Sequence, residues 1–346
     1  KKQNMSPKNL NVPSKTHKLL LNKLKDKKIF EIYKRFENYL DINENFVVAV
    51  SGGPDSLALS FLAKIYSIKK SLNIKYFIVD HKLRKNSSSE AKYVQKQLKK
   101  FSINLNILTW YGTKPKSNIQ SIARDKRYKL LVNVTKKFKI KNILLGHHLD
   151  DVFENFFIRI LRGSGLNGLV SLDQKTQNEN INIIRPLLNF DKKDLIYISK
   201  YVFGSFVKDP SNKDDKFKRV KIRNILNQLE TEGLDRNKFL LTIQNLKFAN
   251  ETIKFYTKKN LVDNISFLKK EKSAVLKENF FYHSSEIIFR SFTEVIKIVG
   301  KKYYPARGKK IDMVLQLINT KSSFKVTLGG CVIKKVNQTV IVSKEH

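Results

Sequence analysis

Phe46-Val47-Val48-Ala49-Val50, followed at once by Ser51-Gly52-Gly53-Pro54-Asp55-Ser56 and then by the amphipathic stretch Leu57–Lys70, decides the fold. The first segment is apolar and mostly β-branched, which reads as a strand buried on both faces. Two glycines after it let the backbone approach a ligand with no Cβ in the way. The helix start that follows offers unpaired N–H groups and the positive end of a dipole, which suits phosphate. The hydroxyls of Ser51 and Ser56 can add hydrogen bonds, and Asp55 can hold a Mg²⁺ bound to the same phosphates. No Lys-Ser or Lys-Thr pair is present, so this is not the kinase-type P-loop. An ordinary strand–turn–helix connection, with glycine for the turn and Ser or Asp as the helix cap, is the competing reading.

The same alternation continues outward. Lys75–Asp80, Ile103–Trp110 and Lys141–Gly146 read as further buried strands, with Ser89–Lys100 and Asn118–Phe138 as helices between them. Strand–helix alternation at this spacing predicts βαβ units and an α/β domain with a parallel, doubly wound sheet. After about Asn212 the character changes: Asp214–Glu230, Arg236–Lys258 and Glu286–Val299 have helical periodicity, and Phe324–Val342 alternates as strands around Gly329-Gly330. The expected organisation is an exposed basic arm over 1–25, an α/β domain over 26–212 and a smaller, mostly helical domain over 213–346. The turn-forming cluster Asp209-Pro210-Ser211-Asn212 joins the two domains.

Across 346 residues, 68 Lys+Arg against 30 Asp+Glu give a net charge of +38. Such a self-repelling surface usually needs a polyanionic partner, and nucleic acid is the first candidate. A composition rich in Lys, Asn and Ile also follows from genome bias, which is the blander explanation. Cys331 is the single cysteine, which excludes an internal disulfide, a multi-Cys zinc site and a cysteine-held iron–sulfur cluster. A lone thiol suits a reducing, cytoplasmic setting. No apolar run reaches the roughly 18 residues of a membrane span. The basic N-terminus lacks the apolar core of a secretory signal.

Further stretches narrow the reading. Val79-Asp80-His81-Lys82-Leu83-Arg84 closes the second strand, and Ser89-Glu90-Ala91 opens the next helix. Ala123-Arg124-Asp125-Lys126-Arg127-Tyr128 lies on the third helix. Gly146-His147-His148-Leu149-Asp150-Asp151-Val152-Phe153-Glu154-Asn155 follows the fourth strand and leads to Arg162-Gly163-Ser164-Gly165-Leu166. Asp209–Asn212 precedes Phe217-Lys218-Arg219-Val220-Lys221-Ile222-Arg223-Asn224. The loop Ser51–Ser56 resembles the pyrophosphatase-type loop of ATP-dependent adenylating enzymes. With the other stretches, over roughly Val47–Arg223, the chain resembles the tRNA(Ile)-lysidine synthase family. Val220 and Lys221 depart from the Asn and Arg that the family often has there.

That resemblance implies a Rossmann-like sheet of the adenine nucleotide alpha hydrolase type. It also implies a reaction: ATP, with Mg²⁺, adenylates the wobble cytidine of the isoleucine tRNA bearing a CAU anticodon. Free L-lysine then displaces AMP to give lysidine. On this basis Ser51, Gly52, Gly53, Pro54, Asp55 and Ser56 cradle the nucleotide, and Asp55 holds the metal. Arg124 and Arg127, near one another on a helix surface, meet phosphate charge or the tRNA backbone. Asp151 and Glu154, i and i+3 at a helix start, project together and are expected to recognise the lysine ammonium. The alternative is that Asp150 caps this helix while Asp151 and Glu154 complement its dipole.

Arg219 and Arg223, i and i+4, face one way and are expected near ATP phosphates or tRNA; a solvated basic helix is the alternative. His147 and His148 are expected to hydrogen-bond within the site rather than hold zinc. Arg162 and the following glycines read either as a strip near substrate or as a plain helix end. Tyr303-Tyr304 with Arg307, Lys309 and Lys310 mixes aromatic and basic residues as stacking surfaces do, or packs a core. The C-terminal domain is expected to clamp the tRNA. Competing classes are a tRNA thiolase, against which the lone Cys331 argues; an amidotransferase, against which the charge argues; and a non-catalytic RNA binder, against which the intact loop argues.

Overall fold

The computed structural model describes residues 15–84, 86–113, 115, 117–178, 180–208, 218–268, 272–302 and 306–345. The chain forms two compact units, Lys1–Gly233 and Leu234–His346. In the first, the described elements run α1 (Lys15–Asn22), α2 (Lys27–Tyr39), β1 (Phe46–Val50), α3 (Pro54–Lys70), β2 (Lys75–Asp80), α4 (Ser87–Lys99), β3 (Leu105–Thr109), α5 (Ile119–Lys137), β4 (Asn142–Leu144), α6 (Leu149–Ile160), α7 (Leu166–Leu169), β5 (Lys175–Asn178), β6 (Ile181–Ile184), α8 (Lys192–Phe203) and α9 (Lys218–Thr231). The strands make one sheet in the order β3-β2-β1-β4-β6-β5, parallel except for the β5–β6 hairpin at one edge.

The strand period of two sorts the core. Phe46, Val48 and Val50 face the layer built from α2, α3, α4 and α8, with Ile29, Phe36, Leu57, Leu98 and Leu195 packed against them. Val47 points the other way, to Leu131 and Val132 of α5 and to Ile143 and Ile183. Each fully buried Phe or Val side chain here contributes about 1.5–3 kcal/mol. β1 is therefore central and apolar on both faces, as its composition predicts.

Strand order sets where a ligand binds. From β1 the chain winds outward through β2 and β3, then returns to the other side of β1 with β4. Between β1 and β4 the winding reverses, and the crevice beyond the carboxyl ends of two such strands is the binding position of doubly wound sheets. Ser51–Ser56 leaves one of these ends and Gly146-His147-His148 the other.

The N-terminal arm is a correction. Lys15–Asn22 is helical, and Leu20 is fully buried in the first unit's core with Leu21 and Leu24 packed against it, so this part of the arm is docked on the domain. The rest of the arm, 1–14, lies outside the described residues, as do the Asp209–Asn212 cluster, Phe217 and Tyr303-Tyr304.

The second unit holds α10 (Arg236–Asp263), α11 (Ser285–Gly300) and α12 (Gly308–Thr320), together with β7 (Ile265–Leu268), β8 (Ser273–Leu276), β9 (Ser323–Leu328), β10 (Cys331–Val336) and β11 (Thr339–Lys344). These strands form an antiparallel sheet in the order β7-β8-β11-β10-β9, so the unit is helices plus a sheet. Gly329 and Gly330, at φ +64° and +79°, join β9 to β10 in the two-residue turn such a hairpin favours. No helix among the described residues is long and apolar enough to cross a membrane.

Candidate active site

The turn out of β1 is braced from inside. The Ser56 hydroxyl accepts from the N–H groups of Ser51 and Gly52, both at 3.1 Å, and donates to Gly53 O at 3.0 Å. Val207 N–H donates to Gly52 O at 3.0 Å, and the buried Ser199 hydroxyl of α8 donates to Pro54 O at 2.6 Å. Gly52 takes φ +84°, and a Cβ placed on it would lie 2.7 Å from Val94 Cγ2. Pro54 opens α3 at its first turn, where a missing N–H costs nothing. Serine, glycine and proline thus each answer a specific demand of the turn.

Asp55 in this turn has an Oδ1 that is buried without a hydrogen-bond partner. Burial pushes its carboxyl up, against the pull of His148 and Lys192. Its Oδ2 lies 3.7 Å from His148 Nε2, and the same nitrogen lies 3.7 Å from Asp151 Oδ2. His148 is the N-cap of α6: its Nδ1 accepts from Asp150 N–H at 3.2 Å, and its backbone N–H donates to Asp151 Oδ2 at 3.0 Å. With Nδ1 accepting, Nε2 is the nitrogen that carries a proton, between the two carboxylates. Capping by His148, rather than by Asp150, is the local reason for the ring's position.

Asp151 and Glu154 do project together, and α9 covers them. Arg223 Nε donates to Glu154 Oε1, while Arg219 lies 3.7 Å from Asp151 Oδ1 and 3.9 Å from Glu154 Oε2. Burial works to raise Asp151, but His148, Arg219 and the His148 backbone N–H outweigh it and hold the carboxyl below its usual value. Glu154 is fully buried, and burial pushes it up despite Arg223; the same contact pushes Arg223 up. The guanidinium stays charged at any physiological pH. Glu154 Oε2 has no hydrogen-bond partner.

Arginines dominate the rest. Burial, with Arg124 and Arg219 nearby, pushes Arg127 down. His147 is pushed down to about 3 by burial, against the pull of Asp151 and with the repulsion of Arg185, Arg124 and Arg219. Arg124, Arg185 and Arg219 therefore surround a neutral His147, with Arg127 beside Arg124 and Arg219, and together with Arg223 they outnumber the carboxylates. The arrangement can hold a compact polyanion next to a pair of acidic groups.

Other residues singled out in the sequence fall outside this cluster or have structural work. Asp80 accepts from Ser88 Oγ and Lys82 N–H, and Glu90 pairs with Arg84 at 3.0 Å. Gly163 ends α6, with its N–H donating to Ile160 O at 2.9 Å, and Arg162 is exposed. Sequence reasoning missed Arg185 and Lys192. Arg185 had a readable signal: a cation directly after Ile181-Asn182-Ile183-Ile184, at the carboxyl end of a strand, stands where doubly wound sheets bind ligands.

Comparison with known proteins gives concordant results. The PP-loop domain profile matches residues 23–230. The tRNA(Ile)-lysidine synthase of Wolbachia pipientis wMel is 32% identical over 306 residues, covering 88% of this chain and 71% of that protein. The enzymes of the same name from Orientia tsutsugamushi (strain Boryong) and Rickettsia akari (strain Hartford) are each 32% identical, over 88% and 91% of this chain and 70% and 74% of theirs. Among solved structures, the U34-tRNA thiolase NcsA from Methanococcus maripaludis, with its [4Fe-4S] cluster, aligns with TM-score 0.56 and 19% identity, covering 66% of this chain and 81% of that one. The last is a likeness of fold.

Proposed function

The chain belongs to the tRNA(Ile)-lysidine synthase family of PP-loop proteins, and from that premise we propose that it joins free L-lysine to C2 of the wobble cytidine of the CAU-anticodon isoleucine tRNA. In the first step the cytidine 2-oxygen attacks the α-phosphorus of ATP, and the bond to the β-phosphate breaks, releasing pyrophosphate. In the second, the lysine side-chain amine attacks C2, AMP leaves with the oxygen, and the amine loses a proton.

The supporting observation is His148 Nε2, 3.7 Å from Asp55 on one side and from Asp151 on the other, which ties the phosphate turn to the acidic pair. Ser51, Gly52, Gly53, Pro54 and Ser56 form the cradle of the leaving pyrophosphate. Mg²⁺ fits beside it: Asp55 Oδ1 lacks a partner, and no trio of described His, Cys, Asp or Glu residues suits an ion, so phosphate and water oxygens would complete its shell. When bound, Mg²⁺ would neutralise charge on the departing pyrophosphate. Arg124 and Arg127 meet the α-phosphate or the tRNA backbone, and Arg219 and Arg223 close over the same place from α9.

Asp151 and Glu154 receive the lysine ammonium. Glu154 is the better proton acceptor of the two, since burial raises it while Asp151 is held low, and its Oε2 is an unfilled acceptor. The second unit is assigned to tRNA binding by the family reading, and the net charge of +38 over the whole chain suits a polyanionic partner. A cytoplasmic setting fits, since ATP, lysine and tRNA meet there. Thiolation is disfavoured, because Cys331 is the single cysteine and lies buried in the second unit's core.

Labelled lysine, ATP and Mg²⁺ with unmodified isoleucine or methionine tRNA of the same anticodon provide the test. Label is expected in the isoleucine tRNA alone and only with ATP. No incorporation into any tRNA contradicts the reading.

A further inference from the structure

Arg185 follows β6 and is 7% exposed, an expensive place for a cation unless its donors are used. Its Nη1 donates to Asp173 O at 2.7 Å and to Thr176 Oγ1 at 3.1 Å. Nε has no partner. These contacts anchor the cation from the β5 side, where its charge acts on Tyr128 and Arg124 of α5.

Tyr128 holds Arg124 against that charge. Its hydroxyl oxygen accepts from Arg124 Nη2 at 3.2 Å, and the Arg124 guanidinium carbon lies 5.1 Å from the centre of the Tyr128 ring. Ring face and hydroxyl therefore both grip Arg124. Without that grip, repulsion from Arg127 and Arg185 would drive a long, flexible side chain toward solvent. A pre-oriented cation is worth most where charge develops in a reaction.

We propose that Tyr128 is a positioning residue that holds the Arg124 guanidinium aimed at the phosphates of bound ATP. The inference rests on the reading that Arg124 meets those phosphates. Tyr128 need not touch substrate: its ring face and hydroxyl fix Arg124.

The test is steady-state kinetics of the full chain with ATP, lysine and tRNA. Tyr128→Phe removes one oxygen and keeps the packing. It should lower kcat/KM for ATP about tenfold, the size of one lost charge-assisted hydrogen bond, while KM for lysine and the melting temperature stay near wild type. Arg124→Ala should lose more, and Tyr128→Phe added to it should cost nothing further. Tyr128→Phe with wild-type ATP kinetics, or losses that multiply in the double variant, would overturn the proposal while leaving Arg124 in place. An Arg124→Ala enzyme with unchanged ATP kinetics would overturn both the proposal and the reading beneath it.

Discussion

Gly52→Ala is the sharpest single perturbation of the phosphate turn. The backbone there is left-handed, at φ +84°, and a new Cβ would sit 2.7 Å from Val94 Cγ2 and 3.3 Å from Val207 Cγ2. A side chain in the left-handed region costs about 1–2 kcal/mol, and overpacking a well-filled site costs about 1–3 kcal/mol. The total of about 3.5 kcal/mol at mid-range corresponds to a fall of about 10 °C in the melting temperature of a unit this size. ATP affinity should fall with it, because the Gly52 N–H is part of the Ser56 brace. Scanning calorimetry and nucleotide titration read the two effects. Val94→Ala makes room for the new methyl, so the double variant should be more stable than the sum of the single effects by about 1–2 kcal/mol. A Gly52→Ala protein that melts like wild type, or a Val94→Ala change that brings no relief, would refute the reasoning.

Three further outcomes are expected. Asp55→Asn should abolish lysine transfer while leaving tRNA affinity within about twofold, measured by filter binding at fixed salt. Glu154→Gln should lower kcat/KM for lysine at least about tenfold and, by leaving Arg223 without its buried partner, cost about 1–3 kcal/mol, less than a fully buried pair because Arg223 is 29% exposed; unchanged lysine kinetics would remove it from the site. His147 stays neutral in the folded chain down to about 3, against 6.5 when unfolded, so protons favour the unfolded state between these values and stability falls as pH falls through that window. The loss at pH 5 is about 2 kcal/mol, and His147→Asn should flatten the pH dependence of urea unfolding by that amount.

The strands and helices around the sheet were legible because their signals are local. Phe46–Val50 and Lys75–Asp80 coincide with the apolar runs that predict them, and the Gly329-Gly330 turn sits where the alternation breaks. The β5–β6 hairpin was not legible, since β5 is Lys-Thr-Gln-Asn, an edge strand with no buried face of its own to impose a pattern. Lys15–Asn22 read as an arm because its charge masks Leu20, whose burial depends on partners distant in sequence. In the site, Asp151 and Glu154 could be paired by helical spacing alone. Their engagement by Arg219 and Arg223, and the placement of His148 between Asp151 and Asp55, depend on how α6 and α9 pack, which spacing does not carry.

The bond broken in ATP tests the account most directly. With nucleotide labelled at the α-phosphate, Mg²⁺, lysine and unmodified isoleucine tRNA, the turn after β1 should yield one AMP and one pyrophosphate for each lysine attached. Formation of ADP, or lysine attachment with no ATP consumed, would contradict it.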